Sequence, residues 1–188
     1  MLEFGTLSRL TRDPRHYRAA FDALRALHDR AAWTGLVGNH IKIDHGAWVA
    51  TDSGVGGLVD SFYEYMAKGY ILFGDARLLR MFHSSSAAVK SFVRRAPWFL
   101  DADMRSGQTS NVFHSSLSAF YPGLQTLFGQ IGPAAETTRA HFSVWRKYGC
   151  LPEGYNAVTT LPMAGQVNYP LRPELAESLG RGLSLIHI

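Results

Sequence analysis

The sequence is poor in several features that would settle a function class early. It has one cysteine, Cys150, so no disulfide can form within it. No apolar run approaches the roughly 20 residues that a membrane-crossing helix needs. Asn-x-Ser/Thr triplets are absent. The stretch after Met1, LEFGTLSRLTRDP, lacks the apolar centre of a secretory signal, so none is expected in these residues. The formal net charge is +4, but Arg and Lys are scattered and no row of aromatics accompanies them. Nucleic-acid binding is therefore not expected. His40 and His45 do not stand in a metal-ligand spacing. What is present is 188 residues with 46% hydrophobic and 18% charged side chains, the composition of a packed domain or part of one.

Three turn signals interrupt helical periodicity. They are Asp13-Pro14 in SRLTRDPRHYRAAF, Gly74-Asp75 in YILFGDARLLRMF and Gly132-Pro133 in LQTLFGQIGPAAETTRAHF. Pro14, Asp75 and Pro133 stand 61 and 58 residues apart, which predicts a repeat of helical hairpins with tight connections. The connections between hairpins are long, at about Arg30–Asp52, Ala96–Gln108 and Cys150–Pro173. The first contains LVGNHIKIDHGAWV, which reads as a small β-hairpin. Alternating short and long connections place every long loop at one end of an antiparallel array. Helices starting near Ser53, Gln108 and Pro173 share that end, and long loops inside a compact domain are usually functional.

Carboxylates gather in these regions. In VNYPLRPELAESL, Pro173 suits the first position of a helix and Glu174 its first turn, where the macrodipole favours negative charge. That is an ordinary helix start, with Glu177 completing a polar first turn. It is also a place for a base that activates water. Glu153, in GCLPEGYN, reads as a loop charge unless the fold brings it to the same mouth. Asp60, Glu64 and Lys68 fall at i, i+4 and i+8, the pattern of a solvated helical stripe. Phe62, Tyr63, Tyr65 and Tyr70 beside them read as core more readily than as a sugar platform.

The motifs DSFYEYMAKGYILFGD, YPGLQTLFG, GCLPEGYN and YPLRPELAES resemble the class I α-mannosidases, glycoside hydrolase family 47. Within that family they look most like the ER degradation-enhancing α-mannosidase-like proteins. The likeness runs from LEFGTLSRLT to Leu179. It implies an all-α chain, about three helical hairpins of a seven-hairpin (α/α) barrel, with small β-hairpins in the long loops. It implies removal of terminal α-1,2-linked mannose from high-mannose N-glycans, with inversion, in the disposal of misfolded glycoproteins in the endoplasmic reticulum. A calcium ion in the intact domain and an oxidoreductase partner belong to the same expectation. Matched by motif, Asp60, Glu153 and Glu174 are the catalytic carboxylates, and Arg172, Glu177 and Glu3 line the glycan pocket. Inverting glycosidases need one acid and one base. Glu174 is expected to be the base, Glu153 the acid, and Asp60 to position water or charge.

The sequence also departs from the family. A further catalytic glutamate is expected ahead of Leu2-Glu3-Phe4, and the calcium-binding threonine belongs to an NTEAHP segment that these residues lack. No metal ligand is therefore assigned here. Residues 1–179 read as a partial catalytic domain and 180–188 as a non-native tail. Leu183 to Ile188, LSLIHI, resembles the translation of a sequencing-adapter string. Terminal repeats without neighbours expose apolar faces, so the isolated chain is expected to aggregate and to be inactive. Two other readings stand beside the glycosidase: a mannose-binding module without turnover, and a helical scaffold with no sugar chemistry.

Overall fold

The computed structural model describes residues 1–186, with side chains to residue 183. Its first hairpin pairs α1 (Leu2–Thr11) with α2 (Pro14–His28), and its second pairs α3 (Asp60–Phe73) with α4 (Ala76–Ala88). The same local chemistry makes both turns. A left-handed residue closes the first helix, Arg12 at φ 58° or Gly74 at φ 73°. An aspartate then caps the second, Asp13 accepting from Arg15 N at 2.9 Å and Asp75 from Arg77 N at 2.9 Å. Each arginine folds its guanidinium back onto its cap, at 2.6 Å in both turns. Asp13 is held at about 2, first by the Arg15 side chain. The repeat in the sequence is thus a repeat of one capping device.

The third hairpin pairs α5 (Tyr121–Leu127) with α6 (Ile131–Tyr148). Its break falls at Phe128–Gln130, where Gly129 adopts φ 72°, and not at Gly132-Pro133. Those two residues lie in the first turn of α6, where proline's missing N–H has no helical partner to lose. A last helix, α7, spans Glu174–Ile186. The expected tail therefore begins as helix, and residues 187 and 188 lie outside the described residues.

Two helix starts lie further along the chain than expected, at Asp60 and Tyr121. The residues near Ser53 and Gln108 are used otherwise. Strand β3 (Asp52–Ser53) pairs antiparallel with β6 (Ala102–Asp103), and Asp103 N donates to Gln108 O. The hairpin expected in the first loop is present as β1 (His40–Ile41) against β2 (Trp48–Ala50). The second loop adds β4 (Arg94–Arg95) against β5 (Trp98–Phe99). In the third ladder β7 (Phe113–Ser115) pairs with β8 (Gly154–Asn156), which pairs with β9 (Leu161–Pro162). These ladders join the first loop to the second and the second to the third, so all three share one end.

One core holds Leu36, Tyr63, Met66, Leu78, Phe82, Val93 and Met104 between hairpins and loops. A smaller one joins Ala119, Val144, Leu151, Tyr155 and Leu175 under the third loop. Helices α1 and α3 meet at Gly5, where a Cβ would stand 2.3 Å from the Phe73 ring. Tyr17 packs edge-on against that ring at 5.5 Å, so it has little room to yield. Gly5→Ala is expected to cost about 1–3 kcal/mol, read from the denaturant midpoint at unchanged slope.

Next to the smaller core, His114 of β7 and His141 of α6 share a hydrogen bond between their Nε2 atoms at 2.6 Å. Both rings are buried, 1% and 0% exposed. Burial lowers both from the ordinary 6.5, His114 to about 4 and His141 well below, with the neighbouring ring adding to the second effect. The unfolded chain takes the proton more readily than the folded one. Stability is therefore full above pH 6.5 and falls as pH drops towards about 4. The loss is expected to be on the order of 3 kcal/mol. Unfolding midpoints measured across that window should drop steeply, and the H114F/H141L double variant should flatten the slope.

Candidate active site

Helices α1, α3 and α7 each open on a carboxylate. Glu3 lies in the first turn of α1, Asp60 begins α3, and Glu174 and Glu177 lie in the first turn of α7. Their free backbone N–H groups and aligned peptide dipoles favour negative charge at these positions. The chain enters two of these helices through left-handed leucines. Leu58, at φ 75°, precedes Asp60, and Leu171, at φ 55°, precedes Arg172. A leucine in that region is strained by roughly 1 kcal/mol or more, and such residues cluster at functional sites.

Glu153 is the most constrained of the carboxylates. Buried Leu151 and Pro152 anchor its loop. Its backbone N–H donates to Asn168 O at 3.0 Å, and its carbonyl accepts from Ser116 N at 3.0 Å. Arg172 grips the carboxylate with two bonds, Nη2 to Oε1 at 2.6 Å and Nε to Oε2 at 3.0 Å. The Ser116 hydroxyl donates to Oε2 at 2.9 Å. Arg172 foremost, with Ser116, holds this carboxyl below the usual range despite partial burial. A group kept ionised in this way is a poor proton donor, so the pairing disfavours the expected role of Glu153 as the acid.

Arg172 also links Glu153 to the start of α7. Its own pKa is raised first by Glu153, with Glu174 adding to the effect. Glu174 Oε2 is shielded from solvent and has no hydrogen-bond partner among the described residues. Glu177 is bound instead to its own helix and to α3. Its Oε1 accepts from Arg181 at 2.5 Å and from Lys68 at 3.4 Å, while Lys68 also donates to Glu64 at 2.5 Å. Burial raises the Glu177 carboxyl, but Arg181 and Lys68 outweigh it and the net shift is downward. Glu3 accepts from the Tyr65 hydroxyl at 2.7 Å. Helix α3 therefore joins α1 through Tyr65 and α7 through Lys68.

The fold brings Glu153, Arg172 and Glu174 into one group, and ties Glu3 and Glu177 to the helix that begins with Asp60. Asp60 itself has no hydrogen bond or ion pair to Glu153 or Glu174 among the described residues; its Oδ1 accepts from Ser61 N at 2.6 Å. No set of three or more His, Cys, Asp or Glu side chains able to hold a metal ion occurs among those residues.

Several participants escape sequence reasoning. Ser116 and Lys68 acquire their roles only through partners 37 and 109 residues away. Asp101 gives no sign in FLDADM, which lies inside the second long loop and carries no motif. Yet burial, with the charge of Asp52, pushes its carboxyl up to about 6. It lines a cavity of about 270 Å³ with Gly56, Asn111, Ser118, Gly154 and Gln166, beside the strand that follows Glu153. Replacing Arg172 by Met should raise the Glu153 titration towards the ordinary 4.5, followed by carbon-detected NMR. Arg172→Lys should restore only part of the depression, because an ammonium lacks the two-pronged geometry.

Against known proteins, a model of glycosyl hydrolase family 47 matches residues 1–180. The chain is 46% identical over 177 residues to Alpha-mannosidase I MNS4 of Arabidopsis thaliana, covering 94% of this chain and 28% of that protein. It is 43% identical over 178 residues to ER degradation-enhancing alpha-mannosidase-like protein 2 of Homo sapiens, covering 95% of this chain and 31% of that one. The chain thus spans about a third of the length of these relatives. The solved α-1,2-mannosidase from Trichoderma reesei superposes on all of this chain and 46% of its own, with TM-score 0.80 at 22% identity. That likeness shows the fold, an (α/α) barrel, to which this chain contributes three hairpins and helix α7.

Proposed function

The chain belongs to glycosyl hydrolase family 47, and from that premise we propose that it is part of an inverting α-1,2-mannosidase. Its substrate is the high-mannose N-glycan of misfolded glycoproteins, and its compartment the endoplasmic reticulum. The relatives' names supply mannosidase chemistry and endoplasmic-reticulum degradation. No helix among the described residues is long and apolar enough to cross a membrane.

The observation that carries the reading is the start of α7. Glu174 has a carboxylate oxygen that no donor holds among the described residues, beside an arginine already committed to Glu153. A base that must orient and deprotonate water needs a free oxygen of this kind. In the proposed division of labour Glu174 activates the water and Asp60 positions water or charge at the start of α3. Glu153 stays ionised and fixes Arg172, while Arg172, Glu177 and Glu3 line the sugar pocket. The proton donor is the further glutamate that the family likeness places ahead of Leu2. Inversion asks for acid and base roughly 6.5–9.5 Å apart, with the water between base and sugar.

Calcium belongs to the intact family domain in this reading. The residues described here form no cluster fit to hold it, and no step is derived through it. An oxidoreductase partner is likewise part of the proposal for the whole protein. Phe4 and Leu10 of α1 are 51% and 79% exposed, a face suited to a neighbouring repeat.

In the full-length protein, Glu174→Gln should lower turnover of an α-1,2-linked mannose substrate by about 10²–10⁴-fold with little change in KM. Full turnover in that variant rejects Glu174 as the base. A second reading, mannose binding without turnover, is favoured by Glu153 and Glu177 both being ion-paired to arginine. An inactive wild-type protein that retains high-mannose glycans would decide for it.

A further inference from the structure

Residues 54–59 carry the chain from β3 into α3, and two polar side chains seat them. At one end Asp101 lies against Gly54, where a Cβ would stand 2.0 Å from Asp101 Oδ1. At the other, a Cβ on Gly56 would stand 2.7 Å from Ser118 Oγ. Only glycine lets the backbone come so close. The Gly56 carbonyl then accepts from Asp60 N at 3.0 Å, so the seat of this segment sets where α3 begins. Left-handed Leu58 lies between the two, and buried Val55 and Val59 tie the segment to the larger core.

Asp101 itself precedes β6, and its carbonyl accepts from Ser110 N at 2.8 Å. Among the described residues, Asn111 is the one side chain that offers its carboxylate a hydrogen bond. Neither carboxylate oxygen is among the shielded atoms without a partner, so the group opens on the cavity of about 270 Å³. No lysine or arginine among the described residues lines that cavity. The titratable groups around Asp101 are few. Asp52 on β3 adds a like charge. Asp103, opposite Asp52 in the ladder, is engaged by the Thr51 hydroxyl at 2.6 Å and held at about 2. His114 on β7 lines the same cavity and is kept neutral by burial. Residues 54–59 carry no charge, and neither do Gly154, Met163 and Gln166 from the third loop.

Protonated, Asp101 is a neutral acid resting on a glycine. Ionised, it stands beside Asp52 with no cation to balance it, and it must draw water from the cavity. The close contact at Gly54 leaves no room for that water unless the segment lifts. We propose that Asp101 is a positioning residue for Asp60, acting through residues 54–58, so that loss of the Asp101 proton loosens the start of α3. Its bearing on turnover rests on the glycosidase reading; the coupling itself does not. Burial foremost, then Asp52, pushes this carboxyl from 3.8 up to about 6. The seat is therefore fully formed below pH 3.8 and is lost as pH rises through about 6.

The test is NMR of the full-length protein labelled with ¹⁵N-glycine, followed from about pH 4.5 to about 7.5. The Gly54 and Gly56 amide signals should move together, with one midpoint within about a unit of 6. Asp101→Asn should abolish that step at both glycines, and Asp52→Asn should lower its midpoint. Glycine signals without such a step overturn the proposal, as does a step that survives Asp101→Asn. Should Asp101→Asn fail to fold, Asp52→Asn decides, because Asp52 is exposed and an unmoved midpoint overturns the coupling. Between about pH 5 and about 7.5, turnover of α-1,2-linked mannobiose should fall about tenfold more in the wild type than in Asp101→Asn, with KM alike in both. Equal pH profiles overturn the link to Asp60. Absent turnover from both proteins rejects the hydrolase reading instead, and the glycine signals then decide the coupling.

Discussion

The two-pronged bond between Arg172 and Glu153 is the interaction on which the rest of the mouth depends. It closes the third loop on itself, from the residue before β8 to the residue two before α7. Ser116 extends the same contact into the segment leading to α5. Three chain segments are thus fixed by one charged pair. The pair is partly buried, so its attraction is less screened than at a free surface. Without it, Leu171 would have no counterweight to its left-handed backbone, and the direction in which α7 starts would be loose.

That constraint sorts carboxylates that look alike in sequence. Glu153 is saturated by donors and held ionised. Glu177 is divided between Arg181 and Lys68, which makes it a brace between α7 and α3. Glu174 keeps an oxygen unengaged among the described residues. Asp101 is the opposite case to Glu153: burial without a cation raises its carboxyl, and only the Asn111 side chain works against that. Glu174 and Glu177 share one helix start, so the dipole does not tell them apart; their side-chain partners do.

The repeat provides the frame for this. Asp13–Arg15 and Asp75–Arg77 make the same cap twice, so the first two hairpins turn alike at the end away from the mouth. The long loops then have one end to themselves, where short ladders hold them together. Those ladders are too short to fold alone; they persist because the two cores pack beneath them.

The first two turns and the helical hairpins were legible in the sequence because each rests on bonds spanning a few residues, as Asp13 to Arg15 does. The family motifs were legible for the same reason, being contiguous strings. The third turn was misread because Gly132-Pro133 satisfies a helix's first turn as well as a break, and only packing of α5 against α6 selects Gly129. The late helix starts at Asp60 and Tyr121 follow from pairing between loops some 50 residues apart, as Asp52 does with Asp103, which no local pattern encodes. The partners of Glu153, the buried pair of His114 and His141, and the raised carboxyl of Asp101 were decided by tertiary structure alone. A side chain's charge state and partners are set by whatever the chain returns to its side, and sequence spacing does not fix that return.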